Sequence, residues 1–326
     1  MKKVLIAILL LGLLPHASAD YIHWVDFRLS APVLRSALEL DMASQGGEQP
    51  LDWIDILALA AAWRGGTGVT VADTQRAAQA LRGDTPPERL SGMAGRFFSY
   101  YRAAYGAALG GLVGHFAIRR TDPQTGEAEW IPAYGLKAFS PIAAGYPWSH
   151  YPDFGAQRSY GYARPHLGND ILGALGTPIC AVEGGTVEAL GWNRYGGWRI
   201  GIRSDDRKRY YYYAHLRKDT PYAEGLAVGQ RVQAGEVIGF MGRTGYSAQE
   251  NVNNIETVHL HFGLQLIFDE SQKECDSEIW IDVYPIIELL ASHCSSVARD
   301  PQTGRWERLY PYCDLDAEPL RSAAAR

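Results

Sequence analysis

The chain has 326 residues, enough for two domains of ordinary size with a sizeable core. Hydrophobic residues make up 47% and charged residues 21%, as is usual for a globular protein. The formal net charge is −5 and the basic residues form no block, which argues against a nucleic-acid partner.

The first 19 residues have the three parts of a secretory signal. Lys2 and Lys3 precede an apolar run over residues 4–14, which is too short to span a bilayer comfortably. Ala17-Ser18-Ala19 then has the small residues of a cleavage site. We therefore expect residues 1–19 to be a signal peptide, and the mature protein to be exported to the periplasm, the cell wall or the medium with no membrane span. An uncleaved anchor is the alternative, and the cleavage site disfavours it.

Residues 20–136 are predicted to form a mainly helical N-terminal domain, whose role the sequence leaves open. Apolar residues recur at helical spacing in "APVLRSALELDMA" and "LDWIDILALAAAW", and the glycines of "GGTG" at 65–68 end the second helix. A third helix follows in "VADTQRAAQALRG", with Asp73 as the candidate cap. A fourth, opened by proline, spans "PPERLSGMAGRFFSYYRAAYGAALGG". The turn sequence "DPQTG" at 122–126 predicts a hairpin.

Residues 137 onward have the pattern of an antiparallel β domain. Short segments rich in Val, Ile, Tyr and Trp alternate with glycine-containing turns about every ten residues. The turn sequence "DPQTG" recurs at 300–304, and residues 291–326 are expected to be a C-terminal extension with a hairpin and a frayed tail. The predicted fold class is therefore α+β, with a helical N-terminal domain followed by an antiparallel β-sheet domain over residues 137–290.

The stretch "VHLHFGLQLIF" at 258–268 places two histidines on one face of a predicted strand. Side chains alternate along a strand with a period of two. One face is then wholly apolar and consists of Val258, Leu260, Phe262, Leu264, Leu266 and Phe268. The other face carries His259, His261, Gly263 and Gln265. Two adjacent imidazoles opposite a core face predict a functional site.

Further candidate site residues lie upstream. "RPHLGNDI" supplies His166 and Asp170, and the glycine between them is expected to let both side chains reach one ion. "YYYYAHL" supplies His215 at a strand end, in phase with Tyr211 and Tyr213. A catalytic zinc site uses three protein ligands and one open position, and imidazole is a common ligand. Each motif alone is weak evidence, since a histidine near a strand end is more often structural, but their order along the chain is specific.

This order of motifs resembles the lysostaphin-type (LytM-like) zinc endopeptidases, which cut peptide cross-links in bacterial cell walls. The matching segments are HLGNDI at 166–171, GTP at 176–178, GTV at 185–187, YAHL at 213–216, the glycine-punctuated stretch 229–245 and HLHF at 259–262. The resemblance covers about residues 137–285 and leaves the helical N-terminal part without a family.

Position by position, the resemblance implies that zinc (Zn²⁺) is held by His166, Asp170 and His261. It also implies that His215 and His259 are the catalytic pair. Two imidazoles and one carboxylate leave zinc a net positive charge and an open position, so that it lowers the pKa of a bound water to about 7 and polarises the scissile carbonyl. The two histidines then assist the attack of that water on the amide, and the sequence leaves open which of them is the general base.

The sequence departs from the family pattern between "TGYS" and "HLHF". The extra stretch "AQENVNNIET" at 248–257 is expected to form a loop beside the cleft and to affect substrate preference. Val258 stands where a proline or a small residue is common. Tyr211 and Tyr213 either line the groove or pack beneath a loop.

Export permits disulfides, and the chain has four cysteines. Cys180 lies in an apolar strand and is expected to be a buried thiol. At most one bridge is expected among Cys275, Cys294 and Cys313, and the spacing of the cysteines fits no zinc motif.

The sequence therefore predicts an exported zinc metalloendopeptidase that hydrolyses peptide cross-links or stem peptides of bacterial peptidoglycan. Two alternatives stand beside it. A degenerate relative would bind cell wall or activate another hydrolase, but such relatives typically lack one or more of the five site residues, all of which are present here. The other alternative is a zinc peptidase that acts on ordinary proteins. The bond cleaved and the oligomeric state are left open.

Overall fold

The computed structural model describes residues 22–159, 163–273, 275 and 277–317. The expected signal peptide, residues 1–19, and the end of the expected tail lie outside these residues. The described part contains five α-helices: α1 (Ala31–Ser44), α2 (Trp53–Arg64), α3 (Val71–Leu81), α4 (Met93–Leu109) and α5 (Tyr284–Leu290). Within this part of the chain, no helix combines the length and the apolar character that a bilayer crossing requires.

Four of these helices precede a part rich in β-strands, so the predicted α+β organisation is confirmed. The strands are β1 (Val113–Thr121), β2 (Ala128–Leu136), β3 (Trp148–His150), β4 (Gln157–Ser159), β5 (Ala163–Pro165), β6 (Asn169–Gly173), β7 (Pro178–Cys180), β8 (Gly185–Asn193), β9 (Gly197–Ser204), β10 (Arg209–Ala214), β11 (Arg231–Val232), β12 (Val237–Phe240), β13 (His259–Leu266), β14 (Ile279–Trp280), β15 (Val297–Arg299), β16 (Trp306–Arg308) and β17 (Tyr312–Asp314). A short 3₁₀ helix, Pro87–Arg89, stands where the predicted fourth helix begins. Gly92, with a φ of 73°, separates it from α4.

Capping residues set where α2 and α3 begin and end. Asp52 accepts a hydrogen bond from the amide of Ile54 at the start of α2, and Gly65, with a φ of 63°, ends this helix as predicted. The prediction of Asp73 as the cap of α3 is wrong. Thr70 is the cap, and the Asp73 carboxylate accepts from the Thr70 amide, which completes a capping box.

An eight-stranded antiparallel sheet forms the centre of the β-rich part. Seven of its strands follow the order β11-β8-β9-β10-β13-β6-β3, and β14 pairs with β13. Along β13, Leu260, Phe262, Leu264 and Leu266 are all buried, as the period-two pattern predicts. The opposite face of β13 borders a cleft.

Both "DPQTG" turns close hairpins, which confirms the two predicted turns. The first joins β1 to β2 and the second joins β15 to β16, with Gly126 and Gly304 at φ values of 73° and 75°. Strand β17 pairs with the free side of β1 to make a three-stranded sheet. This pairing ties the C-terminal extension to the hairpin that follows the N-terminal helices.

The N-terminal helices and the central sheet share one hydrophobic core. A buried charge adds to this contact: Arg209 on β10 is 1% exposed, pairs with Glu183, and donates to the carbonyl oxygen of Ala107 near the end of α4 at 2.7 Å. A cation at this place compensates the partial negative charge of the last helical carbonyl groups. The domain boundaries expected at 136/137 and 290/291 stay a prediction.

Cys180, Cys275 and Cys294 are free thiols. Cys180 is completely buried on β7, as the apolar strand around it predicts. Cys275 and Cys294 are not bridged to each other.

Candidate active site

Three polar side chains converge at the edge of the cleft. Asp170 on β6 lies directly opposite His261 on β13, because these strands pair in that register. His166 joins them from the segment between β5 and β6. Its Nε2 atom lies 2.8 Å from His261 Nδ1 and 3.0 Å from Asp170 Oδ1, and His261 Nδ1 lies 3.1 Å from the same carboxylate oxygen. The three atoms therefore form a nearly equilateral triangle.

The size of this triangle suits a zinc ion. Nitrogen and oxygen ligands about 2.0–2.1 Å from a tetrahedral zinc ion lie about 3.3 Å from one another. The observed separations are slightly shorter, so only small side-chain shifts are needed to admit the ion. Two imidazoles with one carboxylate are a ligand set of catalytic zinc sites, which keep a fourth position open. The assignment of His166, Asp170 and His261 as metal ligands stays a prediction, which this geometry supports.

Asp153 and Arg158 hold two of the candidate ligands in place. His166 Nδ1 lies 3.2 Å from the Asp153 carbonyl oxygen. Because a carbonyl oxygen only accepts, Nδ1 carries the proton and Nε2 keeps its lone pair for a metal. Arg158 donates to Asp170 Oδ2 at 3.0 Å and to the Asp153 carboxylate at 2.8 Å, which leaves Asp170 Oδ1 facing the two histidines. The sequence motifs single out neither Asp153 nor Arg158.

A chain of hydrogen bonds runs from Asp153 towards the surface. The side-chain amide of Asn169 donates to Asp153 Oδ1 at 2.9 Å, and its oxygen lies 2.6 Å from His150 Nδ1. His150 Nε2 lies 2.8 Å from a carboxylate oxygen of Glu288 on α5. Asp153, which is 4% exposed, is thus held from several sides.

Gly168 leaves room for the ring of His261. A Cβ atom at this position would lie 2.7 Å from His261 Cε1 and 2.7 Å from the carbonyl oxygen of Phe262, closer than real Cβ contacts come. Glycine is therefore needed in "HLGND" because any side chain there would collide with His261, the third candidate ligand. The sequence predicts only that this glycine gives the backbone freedom.

The two predicted catalytic histidines stand beside the candidate ligands. His259 Nε2 lies 3.7 Å from Asp170 Oδ1, farther than either of the two histidine nitrogens of the triangle. The ring centroid of His215 lies 4.7 Å from that of His259 and 5.8 Å from that of His261. The structure thus brings all five predicted site residues to one cleft. Their individual roles stay predictions.

Hydrogen bonds fix the tautomers of both predicted catalytic histidines. His259 Nδ1 lies 2.9 Å from the carbonyl oxygen of Thr257, and His215 Nδ1 lies 2.9 Å from that of Thr244. Each Nδ1 must therefore donate, and each Nε2 keeps an unshared pair. Both histidines can accept a proton at Nε2.

The structure decides between the alternatives for Tyr211 and Tyr213 and corrects the expectation for His215. Tyr211 and Tyr213 are buried in the core and do not line the groove, whereas Tyr210 and Tyr212 do. The predicted phase of His215 with Tyr211 and Tyr213 is wrong, because His215 has a φ of 62°. This left-handed backbone ends the alternation of β10 and turns the imidazole away from the core and into the cleft.

Burial and charge keep Asp170 ionised and His261 and His215 neutral. Burial raises the pKa of Asp170, but hydrogen bonds from His166 and His261 outweigh it and hold that pKa well below its usual range. Burial lowers the pKa of His261, and burial together with the neighbouring histidines lowers the pKa of His215 strongly. Zinc binds ionised carboxylates and neutral imidazoles, so the shifts of Asp170 and His261 favour binding.

The cleft has a volume of about 900 Å³ and a lining of aromatic and charged groups. The aromatic groups include Tyr151, Tyr195, Tyr210, Tyr212, Tyr246 and Trp280, and the cations are Arg158, Arg164, Arg199 and Lys273. The insert at 248–257 forms no helix or strand and supplies part of the wall, including Ile255 and Glu256, so the prediction of a loop beside the cleft is confirmed.

Comparison with known proteins gives the class of this site. Residues 164–274 match Peptidase family M23. The chain is 35% identical over 177 residues to the L-Ala--D-Glu endopeptidase of Bacillus subtilis (strain 168), which covers 51% of this chain and 52% of that protein. It is 37% identical over 98 residues to lysostaphin of Staphylococcus simulans, which covers 30% of this chain and 17% of lysostaphin. The chain therefore spans about half the length of the first relative and less than a fifth of the second.

Solved structures include similar chains. The LytM structure from Ruminococcus gnavus is 26% identical, with 82% of this chain and 91% of that chain covered and a TM-score of 0.48. The catalytic domain of lysostaphin from Staphylococcus simulans is 28% identical, with 44% and 92% covered and a TM-score of 0.33.

The β-sheet part with its histidine–aspartate–histidine group is a metallopeptidase domain by family. Residues 164–274 form a domain of peptidase family M23, which confirms the resemblance to the lysostaphin-type, LytM-like proteins. Members of this family are zinc metalloproteases.

Proposed function

We propose that this protein is an exported zinc endopeptidase that hydrolyses amide bonds in peptidoglycan peptides. The observation that carries the proposal is the triangle of His166 Nε2, Asp170 Oδ1 and His261 Nδ1 with two further histidine Nε2 atoms beside it. The names of two relatives, an L-Ala--D-Glu endopeptidase and lysostaphin, support a cell-wall peptide as the substrate. Export rests on the signal-type sequence of residues 1–19.

The chain's own residues supply binding, orientation and proton transfer. A zinc ion in the triangle would polarise the scissile carbonyl and lower the pKa of a water to about 7. The Nε2 atoms of His215 and His259 both carry a lone pair, so one accepts the proton of the attacking water while the other accepts a hydrogen bond that orients it. The histidine that becomes protonated then donates its proton to the leaving amine, which restores the starting state.

The outer contacts determine how precisely this arrangement is held. Arg158 bonds the Asp170 oxygen that points away from the triangle, and Asp153 fixes the tautomer of His166. Such outer partners orient metal ligands and raise their basicity. We therefore include Asp153 and Arg158 among the residues that position the site.

Digestion of purified peptidoglycan tests the proposal. The zinc-loaded protein is expected to release peptides with new amino termini, identified by mass spectrometry, and a chelator is expected to abolish the release. His293→Ala is the matched control, because this histidine packs against Phe139 outside the cleft. Release of no peptide by fully zinc-loaded protein would favour a non-catalytic role. Cleavage of casein but not of peptidoglycan would favour a peptidase of ordinary proteins.

A further inference from the structure

Arg199 is a cation of the cleft that has no carboxylate partner among the residues that the structure describes. It lies half-buried on β9, and its Nε atom is buried without a hydrogen-bond partner. Two other cations of the lining are compensated: Arg158 pairs with two aspartates, and Lys273 lies 2.5 Å from Glu188. A partly buried guanidinium with no carboxylate beside it has lost some of its hydration without gaining an ion pair. A bound anion would compensate its positive charge.

The sheet register places Arg199 close to the triangle of candidate ligands. Ile200 on β9 pairs with Tyr213 on β10, and Tyr213 pairs with Phe262 on β13. Arg199 and His261 therefore lie in the next row of residues, two strands apart, which corresponds to about 10 Å between their Cα atoms. Only Ala214 stands between them in this row, and its side chain is a single methyl group.

A second guanidinium lies on the same side of the cleft. Arg164 donates to the hydroxyl of Tyr246 at 3.3 Å and lies 5.0 Å from the ring centroid of Tyr195. Burial raises the pKa of Tyr212, and the positive charges of Arg199 and Arg164 both oppose that rise, so both guanidinium groups act on the same hydroxyl. Two cations in the wall of one cleft favour an anionic group there over a neutral one.

We propose that Arg199, assisted by Arg164, binds a carboxylate of the substrate within about three residues of the cleaved bond, since an extended peptide advances about 3.5 Å per residue. The proposal rests on the proposed function, because peptidoglycan stem peptides carry free carboxylates whereas glycine bridges have none in their side chains. A guanidinium binds a carboxylate through two parallel charge-assisted hydrogen bonds. The cleft therefore selects acidic stem peptides over neutral glycine bridges.

Matched peptides test this selection. One peptide carries D-glutamate with a free α-carboxylate after an L-alanyl amide, the second carries the same residue with that group as a carboxamide, and the third is pentaglycine. We expect the wild type to have a kcat/KM about 10- to 100-fold higher for the carboxylate peptide than for the other two. Arg199→Met is expected to remove this difference by lowering only the rate on the carboxylate peptide, and Arg199→Lys to keep part of it.

Arg194→Met is the matched control, because Arg194 is exposed and stacks on the Tyr195 ring at 5.2 Å without lining the cleft. Zinc content and melting temperature are measured for every variant, so that a folding defect is recognised. Equal kcat/KM of the wild type on the carboxylate and carboxamide peptides would overturn the inference. So would an Arg199→Met variant that loses both activities to the same extent.

A binding titration separates this inference from the proposed function. If the zinc-loaded wild type cleaves neither peptidoglycan nor any of the peptides, the proposed function fails. Binding is measured separately, on zinc-loaded His259→Ala protein, which is expected not to cleave the peptides during the titration. This protein, with and without the additional Arg199→Met substitution, is titrated with the carboxylate and carboxamide peptides. Tighter binding of the carboxylate peptide that Arg199→Met removes supports the carboxylate site, and equal binding of the two peptides overturns it.

Discussion

Alanine substitution of His259 and of His261 is expected to separate proton transfer from metal binding, although both residues lie on the same face of β13. Side chains two positions apart on a strand start about 7 Å from each other. His261 Nδ1 is within 3.1 Å of both other atoms of the triangle, whereas His259 Nε2 is 3.7 Å from Asp170 Oδ1 and its ring is tied to the carbonyl of Thr257. We expect His261→Ala to lose zinc and His259→Ala to keep it.

The size of each effect follows from these contacts. Zinc sites with four protein ligands are stabilised by about 10–16 kcal/mol, so removal of the His261 ligand should cost about 3 kcal/mol, or about 100-fold in zinc affinity. The His259 side chain lies outside the triangle, so its removal should cost less than the roughly tenfold loss that an outer-shell partner causes. If His259 transfers a proton, its loss should lower kcat by about 10²–10⁴-fold.

Zinc affinity is measured by competition with a chromophoric chelator, and turnover is measured on a cross-linked muropeptide with zinc in excess. His293→Ala, which removes a partly buried histidine outside the cleft, should change neither quantity. The division of roles is refuted if His259→Ala loses zinc as completely as His261→Ala, or if it retains near-normal turnover.

Three further perturbations address the surroundings of the site. Asp153→Ala should weaken zinc binding by about tenfold or more in the same competition assay, because His166 and Arg158 both lose a carboxylate contact. Gly168→Ala should also weaken zinc binding, because the new Cβ would displace the ring of His261. The melting temperature of the zinc-free protein should fall as the pH drops below about 6.5. Burial lowers the folded-state pKa of His215 and His261, so the unfolded chain takes up protons first, and stability falls by up to about 1.4 kcal/mol per pH unit for each group.

Each of these predictions has its own control. Asp300→Ala removes a carboxylate that accepts a hydrogen bond from the amide of Gln302 outside the cleft, and it should leave zinc affinity unchanged. Gly106→Ala adds a Cβ atom whose nearest neighbour would be 4.0 Å away, so it should not affect zinc binding either. A melting temperature of the zinc-free protein that stays constant between pH 7 and pH 5 would contradict the account of the buried histidines.

Much of the site could be predicted because its pattern is local. The alternation along β13 separates a core face from a face with His259 and His261, and the structure buries the first face as expected. The short spacing of His166 and Asp170 and the order of the glycine-containing turns depend on a few residues at a time. Such patterns follow from backbone periodicity, which does not require knowledge of the rest of the fold.

The tertiary structure decided the features that depend on distant contacts or on a single backbone angle. His215 enters the cleft because its own backbone is left-handed, which no alternation rule anticipates. The sequence also leaves open whether Tyr211 and Tyr213 line the groove, and the tertiary structure buries both in the core. Asp153 and Arg158 meet the ligands only after residues 153–158 fold back against β6. Arg199 reaches the cleft through the register of three strands. By itself the sequence determined which residue types were available and the period with which they recur. Sheet pairing and loop closure decided which of these residues contact one another in the site, because they bring together groups that are far apart along the chain.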